Sequence, residues 1–252
     1  MRITRFHIML FLAANLAALA VASGNWLWLI AVVVVMFVVI GLGVALPQMK
    51  FFGPFICEGD ASRKQVALTF DDGPDARSTP ALLDLLHEQK LQAAFFCIGK
   101  CIVAEPALAQ RILAEGHMLE NHSFAHSNTT NFFTVPELIA DLSQAQAAIQ
   151  IATGRAPKLF RPPVGLSNPN VFRAAKTLGL WVIGWSVRSL DTKISEPEKI
   201  VARIERGLKP GAIILLHDGN IPAGRLVLTV KLLLTKLREH GYEVVRLDKL
   251  IG

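Results

Sequence analysis

Two neighbouring carboxylates, Asp71 and Asp72, lie in Thr69-Phe70-Asp71-Asp72-Gly73-Pro74, and side-by-side acids repel unless a cation sits between them. Further along, His122 and His126 are four residues apart, a spacing that puts both rings on one face of a helical turn. Two imidazoles and one carboxylate leave open positions on a Zn²⁺-like ion, which is how a catalytic rather than a structural site is built. A second carboxylate beside them can take a proton from a bound water, and a histidine across the cleft can give one to a leaving amine. Taken singly, each feature has a plainer reading. Asp-Asp-Gly-Pro is an ordinary turn, and an i, i+4 histidine pair is often surface or packing histidine. Arg161-Pro162-Pro163 is an extended loop, and His217 after an apolar run could be a hydrogen-bonded core histidine.

What joins them is their place relative to the elements around them. Beyond residue 51 short apolar runs alternate with amphipathic stretches. Strands are expected at 65–70, 93–98, 117–120, 159–161, 180–185, 212–216 and 242–246. Helices are expected at 79–89, 106–115, 134–154, 170–178, 197–208 and 225–239, with Pro80 in a first turn and Gly154 as a C-cap. Such alternation implies a mostly parallel sheet closed, or nearly closed, into a barrel. An open doubly wound sheet is the alternative, but no G-x-G-x-x-G follows the first strand. In a β/α barrel the chemistry sits at the C-terminal strand ends. The acids, the histidine pair, Arg161-Pro162-Pro163-Val164-Gly165, the segment 185–192 and His217-Asp218 all fall there.

This ordered set, ending with Asp191 and Leu215-x-His217, resembles the polysaccharide deacetylase family, whose shared module is the NodB homology domain. The resemblance covers residues 65–252 and implies a distorted (β/α) barrel. It also implies roles. Asp71 is the general base, and Asp72, His122 and His126 hold a divalent metal, Zn first with Co, Ni or Mn as alternatives. His217 is the general acid, oriented by Asp191, and Arg161 pairs with Asp71. The backbone N–H of Val164 helps to stabilise the oxyanion. Leu215, two residues from His217 and so on the same strand face, lines the acetyl-methyl pocket. Two departures stand out. Val164 replaces a frequent aromatic. The fourth motif, commonly Asp-x-x-Asp-Trp, reads Arg188-Ser189-Leu190-Asp191-Thr192. The support for the acid is kept, while a sugar-stacking tryptophan is lost and a cation is gained. That argues against a long polymer.

The N-terminal segment is of another kind. Hydrophobic residues make up 52% of the 252-residue chain, and 8–49 contains no charged residue. Segments 8–22 and 26–46 are each long and apolar enough to be read as spans, broken at Ser23-Gly24-Asn25. The first could instead be a signal-peptide core ending at Ala20-Val21-Ala22. A helical hairpin is expected, because a second span follows at once. The expected organisation is an anchor at 1–50, a linker at 51–64 and a catalytic domain at 65–252. Arg2, Arg5 and Lys50 carry three of the six net positive charges. The rest is diffuse and not interleaved with aromatics, which excludes nucleic acid as a partner. Cys57, Cys97 and Cys101 suggest no disulfide framework. Cys97, inside an apolar run, reads as a small buried hydrophobe rather than half of a metal pair with Cys101.

The expected activity is removal of the N-acetyl group from an N-acetylhexosamine-containing glycan or glycolipid. O-deacetylation of a polysaccharide, or a catalytically silent metal- or carbohydrate-binding membrane protein, are the alternatives. Basic ends at Arg2, Arg5 and Lys50 place the catalytic domain on the cytoplasmic face beside membrane lipid. An acetylated sugar on a short or lipid-linked carrier is then the expected partner, with Arg188 suited to an anionic group. An external cell-wall polymer is the runner-up. Nothing in the sequence specifies an oligomeric state.

Overall fold

The structure, a computed structural model, describes residues 3–252; Arg2, part of the topology argument, lies outside the described residues. Two apolar helices come first, α1 (Arg5–Ala22) and α2 (Trp26–Ala45), each long enough to cross a membrane. Asn25 begins the second, its side chain accepting from the Trp28 N–H at 3.2 Å. Asn15, the polar residue within α1, donates one amide N–H to the Phe11 carbonyl of its own helix. The helices pack together, and Arg5 donates to the Met49 carbonyl at 2.7 Å, which ties the two open ends of the hairpin.

The remainder is a curled parallel sheet wrapped by helices. Its strands are β1 (Phe55–Ile56), β2 (Gln65–Asp71), β3 (Ala94–Cys97), β4 (Met118–Asn121), β5 (Leu159–Phe160), β6 (Trp181–Ile183), β7 (Val187–Arg188), β8 (Ala212–His217) and β9 (Glu243–Val244). The helices are α3 (Thr79–Glu88), α4 (Gly99–Ala104), α5 (Pro106–Ala114), α6 (Val135–Thr153), α7 (Pro169–Thr177), α8 (Pro197–Gly207), α9 (Ala223–Glu239) and α10 (Leu247–Ile251). The strand order is β1-β6-β5-β4-β3-β2-β8-β7, with β9 added beside β2. β1 and β7 end the sheet, and hydrogen bonds between Ser186 and Ile213 help to close the gap. The fold is therefore the distorted barrel expected, open at one seam.

Period-two alternation builds two cores from one sheet. Val66, Leu68 and Phe70 of β2 face outward to the helices, while Ala67, with Ala94, Phe96, Ile213 and Leu215, fills the barrel. Leu247 and Leu250 of α10 close its lower end. Cys97 is fully buried in the outer core, and burial pushes its thiol well up, so it packs as a hydrophobe. Residues 51–64 are not a free linker. They contain β1, paired in parallel with β6, and the Gly59 N–H donates to the Gly211 carbonyl. A two-residue strand flanked by Gly53-Pro54 carries too little period-two signal to be read from sequence. The last strand is likewise shorter than 242–246, and α4 and α10 were not expected.

Candidate active site and metal centre

Parallel register decides which side chains meet. β2 and β8 pair Asp71 with His217 and Thr69 with Leu215 at matching positions, so the acid and the imidazole leave neighbouring strands side by side. Below them, Arg161 crosses the barrel fully buried. Its guanidinium donates to Asp71 Oδ1 at 2.7 Å, to Thr69 Oγ1 at 2.9 Å and to the Gly184 carbonyl at 3.0 Å, and it lies 4.1 Å from the centroid of the Phe96 ring. Thr69 in turn donates to the Ile214 carbonyl, which fixes its hydroxyl as the acceptor for Arg161.

Asp72, His122 and His126 bring one ligand atom each within 4.8 Å of the others. Asp72 Oδ1 is 3.3 Å from His122 Nε2 and 3.2 Å from His126 Nε2. The Arg161 carbonyl can only accept, so the 2.7 Å contact from His122 Nδ1 makes that nitrogen an N–H and turns Nε2 toward Asp72, as the nitrogen that could ligate once it gives up its proton. Burial works against a charged Asp72, but hydrogen bonds and charge from the two histidines outweigh it and hold the carboxyl far below its ordinary range. An ionised carboxylate faced by two imidazole Nε2 atoms suits a divalent cation of the Zn type, with the remaining positions open.

On the other side, Asp191 receives the His217 backbone N–H on Oδ2 at 2.8 Å and the ring Nδ1–H on Oδ1 at 2.7 Å, with Ser189 Oγ donating to Oδ1 at 2.8 Å. Burial disfavours the imidazolium. The Asp191 bond and charge, with Asp71 and Asp72 behind them, outweigh it and raise His217 to about 9. Leu215 is buried in the barrel. Val164 stands on the rim, half exposed, at φ 59, and among the described residues its N–H has no backbone acceptor. Arg188 stands apart: its guanidinium is 5.6 Å from the Trp185 ring, and among the described residues its side chain makes no ion pair with the cluster. Cys101 lies outside the Asp72–His122–His126 cluster, although its thiol is 3.9 Å from the Asp72 carbonyl.

Several supporting residues escaped the sequence reading. Asp141 of α6 accepts from the Phe124 and Ala125 N–H groups at 3.0 Å each, and Ser123 Oγ accepts from the His126 N–H, so together they shape the loop between the two histidines. Asp218 lies fully buried behind Asp72. Desolvation raises it to about 7, against the Thr79 hydroxyl that donates to it at 2.6 Å. Only the apolar surroundings of Thr69 and Asp218 hinted at buried polar groups. Asp141 had no local signal.

Removing Arg161 leaves the buried Asp71 without its cation. Arg161→Leu is expected to cost about 3–5 kcal/mol of stability, the range for breaking a buried pair. The double variant Asp71→Asn/Arg161→Leu should recover part of that. Denaturant unfolding in detergent measures both, and an equal loss in the two would rule out the charge as the cause.

Comparison with known proteins agrees with this geometry. The family model described as polysaccharide deacetylase matches residues 58–183. The peptidoglycan-N-acetylglucosamine deacetylase PgdA of Listeria monocytogenes is 37% identical over 191 residues, 76% of this chain, which spans only 40% of that relative. A peptidoglycan-N-acetylglucosamine deacetylase of Bacillus cereus is 35% identical over 192 residues, covering 75% of this chain and 89% of the relative. Among solved structures, a CE4 family pseudoenzyme of Bacillus anthracis superposes with a TM-score of 0.73 at 27% identity, over 79% of this chain and 69% of that one. With the model match, the identities and the fold in agreement, the chain belongs to the polysaccharide deacetylase family.

Proposed function

We propose that the protein is a metal-dependent N-deacetylase of an N-acetylhexosamine-containing glycan or glycolipid. The observation that carries the reading is the pairing of Asp71 with His217 at one register position beside the Asp72–His122–His126 cluster. The two relatives named as N-acetylglucosamine deacetylases support the substrate class. O-deacetylation uses the same groups. The likeness to a pseudoenzyme favours a silent protein as second reading, against which both Asp71 and His217 are present and paired.

Each side chain then has one task. Asp72, His122 and His126 would hold a divalent cation, most suitably Zn, with Co, Ni or Mn possible by ligand type. The cation supplies Lewis acidity to the acetyl carbonyl and to the attacking water. Asp71, kept in place by Arg161, takes the proton from that water. His217, kept protonated by Asp191, gives one to the leaving nitrogen. The Val164 N–H donates to the oxyanion as it forms, and Leu215 borders the methyl group. Arg188, with the Trp185 ring beside it, suits an anionic group next to the acceptor sugar. A short or lipid-linked acetylated glycan fits that cation better than a long neutral polymer. A cell-wall polymer is the runner-up.

Residues 1–50 are read as a two-span anchor, and the catalytic domain begins directly at its end. Arg5 and Lys50 flank the open ends of the hairpin, which favours the cytoplasmic face. A cytoplasm-only reporter fused after Gly252 is expected to be active. Activity of a periplasm-dependent phosphatase fusion instead would reverse the topology and favour the external polymer.

The metal and the base should separate by substitution. Asp72→Ala, His122→Ala or His126→Ala should abolish stoichiometric metal in the purified protein. Asp71→Asn should retain metal yet lose about 10²–10⁴ in kcat for acetate release from an N-acetylated chitooligosaccharide. Loss of metal from Asp71→Asn would mean that the two acids are wrongly assigned.

His217 sets the alkaline limb. Its folded pKa lies above the ordinary value of about 6.5, so the proton is held at neutral pH and lost as pH rises through about 9. A bound cation takes up part of the Asp71 and Asp72 charge, so the limb of the loaded enzyme should fall at or below that value. The Asp191 share persists, and Asp191→Asn should move the limb of kcat/KM toward neutrality. An unmoved limb in that variant would remove His217 from the role of acid.

A further inference from the structure

The hairpin does not hang from the catalytic domain on a tether; it is bonded to the rim of the candidate site. The Ser167 N–H donates to the Val44 carbonyl at 3.2 Å, and Val44 belongs to the last turn of α2. Four residues on, Gln48 donates to the Trp185 carbonyl at 2.8 Å. Trp185 packs over Gly165, where any Cβ would lie 2.0 Å from its ring. The loop that carries Arg161 and Val164 is thereby fixed to the end of an apolar helix of 20 residues, a length that spans about 30 Å of hydrocarbon. A group bonded to the last turn of such a helix stands at the membrane boundary.

The contact continues along the rim. Asn168, next to Ser167, donates to the Asn131 carbonyl at 2.5 Å, and Asn170 donates to the Phe133 carbonyl at 3.2 Å. Phe132, between those two acceptors, is 86% exposed, and Val164 is 47% exposed. Two bare apolar side chains beside the end of a span are costly in water and at home in the lipid interface. Cations stand on the same side: exposed Lys50 after the hairpin, Arg5 bonded to Met49, and Arg188 next to the Trp185 ring that Gln48 holds. Positive charge at that height attracts anionic headgroups and lipid phosphates.

We infer that the rim formed by Phe132, Val164 and residues 166–168 rests in the membrane interface. The mouth of the site then receives an acetylated amino sugar carried on a membrane lipid through an anionic link. The substrate part of this inference rests on the deacetylase reading above; the membrane contact does not. A sugar on a lipid phosphate arrives at the height of the metal ligands without leaving the bilayer, whereas a soluble chain must approach from the unanchored side.

Two measurements on the full-length chain test this, in vesicles of phosphatidylethanolamine and phosphatidylglycerol. A bimane label on Phe132→Cys, in a Cys101→Ser background, should be quenched by lipids bearing a nitroxide near the headgroup. An unquenched label overturns the membrane contact. Phe132→Asp should lower kcat/KM on an N-acetylglucosaminyl lipid phosphate by about tenfold or more, the scale of one lost aromatic burial. Its activity on a soluble N-acetylated chitooligosaccharide should be unchanged. Parallel loss on both substrates, or on neither, overturns the inference. If the unaltered chain releases acetate from neither substrate, the deacetylase reading falls, and the quenching still decides where the rim lies.

Discussion

A single buried guanidinium sets the geometry on which the site depends. Arg161 has no contact with solvent, and a cation placed there is tolerable only if it is paired with a charge and hydrogen-bonded. Asp71, Thr69 and the Gly184 carbonyl accept from its two terminal nitrogens, from β2 and from the end of β6, the Phe96 ring covers one side, and Nε is left without a partner among the described residues. Burial lowers the pKa of Arg161, but the Asp71 carboxylate opposes this, and the guanidinium stays charged. The same residue's carbonyl accepts from His122 and so chooses that ring's tautomer. One residue therefore orients the carboxylate with its side chain and the His122 ring with its backbone. Moving the strand end that holds Arg161 would disturb both.

Much of this was legible in the sequence because each polar group lies at the end of an apolar run. The strand ends at 71, 121, 161 and 217 could be read from hydrophobic pattern alone, and a barrel brings such ends together whatever the order of its strands. What could not be read depends on partners far apart in sequence. Asp141 supports the histidine loop from a helix, and only the fold shows that it faces the Phe124 and Ala125 amides. Strand β1 is two residues long and takes its place from pairing with β6, not from any periodicity of its own. Residues 187–188 read as loop, since a two-residue strand beside β8 has no pattern to show.

The helical hairpin is built into the globular part of the chain. Pro47 and Gln48 pack against Gly184 and Trp185, the residues that also meet Arg161 and Gly165. The interior of the barrel is thus joined to the end of the hairpin through the Gly184–Trp185 backbone, which Arg161 bonds from one side and Gln48 from the other. Phe51 fills the space over Gly43, where no Cβ would fit, and stacks edge-on with Phe6 and Phe52, so the junction is packed as a core is packed. A domain cut free at residue 50 would expose that aromatic cluster and lose the Gln48 bond. Its behaviour would not be that of the intact chain.

Backbone strain marks the same place. Among the described residues eight non-glycine residues have positive φ, and five of them, Asp72, Ser123, His126, Val164 and Leu190, lie at or next to the candidate site. Each such residue costs on the order of 1–3 kcal/mol, the more so for a β-branched side chain such as that of Val164. Local bonds offset the cost where a ligand must be aimed. Ser123 Oγ holds the His126 amide, and the Leu190 turn is closed by Ser189 and Asp191. At Val164 no such bond is made by the strained residue's own amide, and that free N–H stands on the rim above Arg161. An unpaired amide on the rim is compatible with the donor role proposed for Val164. The departure from an aromatic at this position therefore leaves the donor in place and changes only the wall beside it.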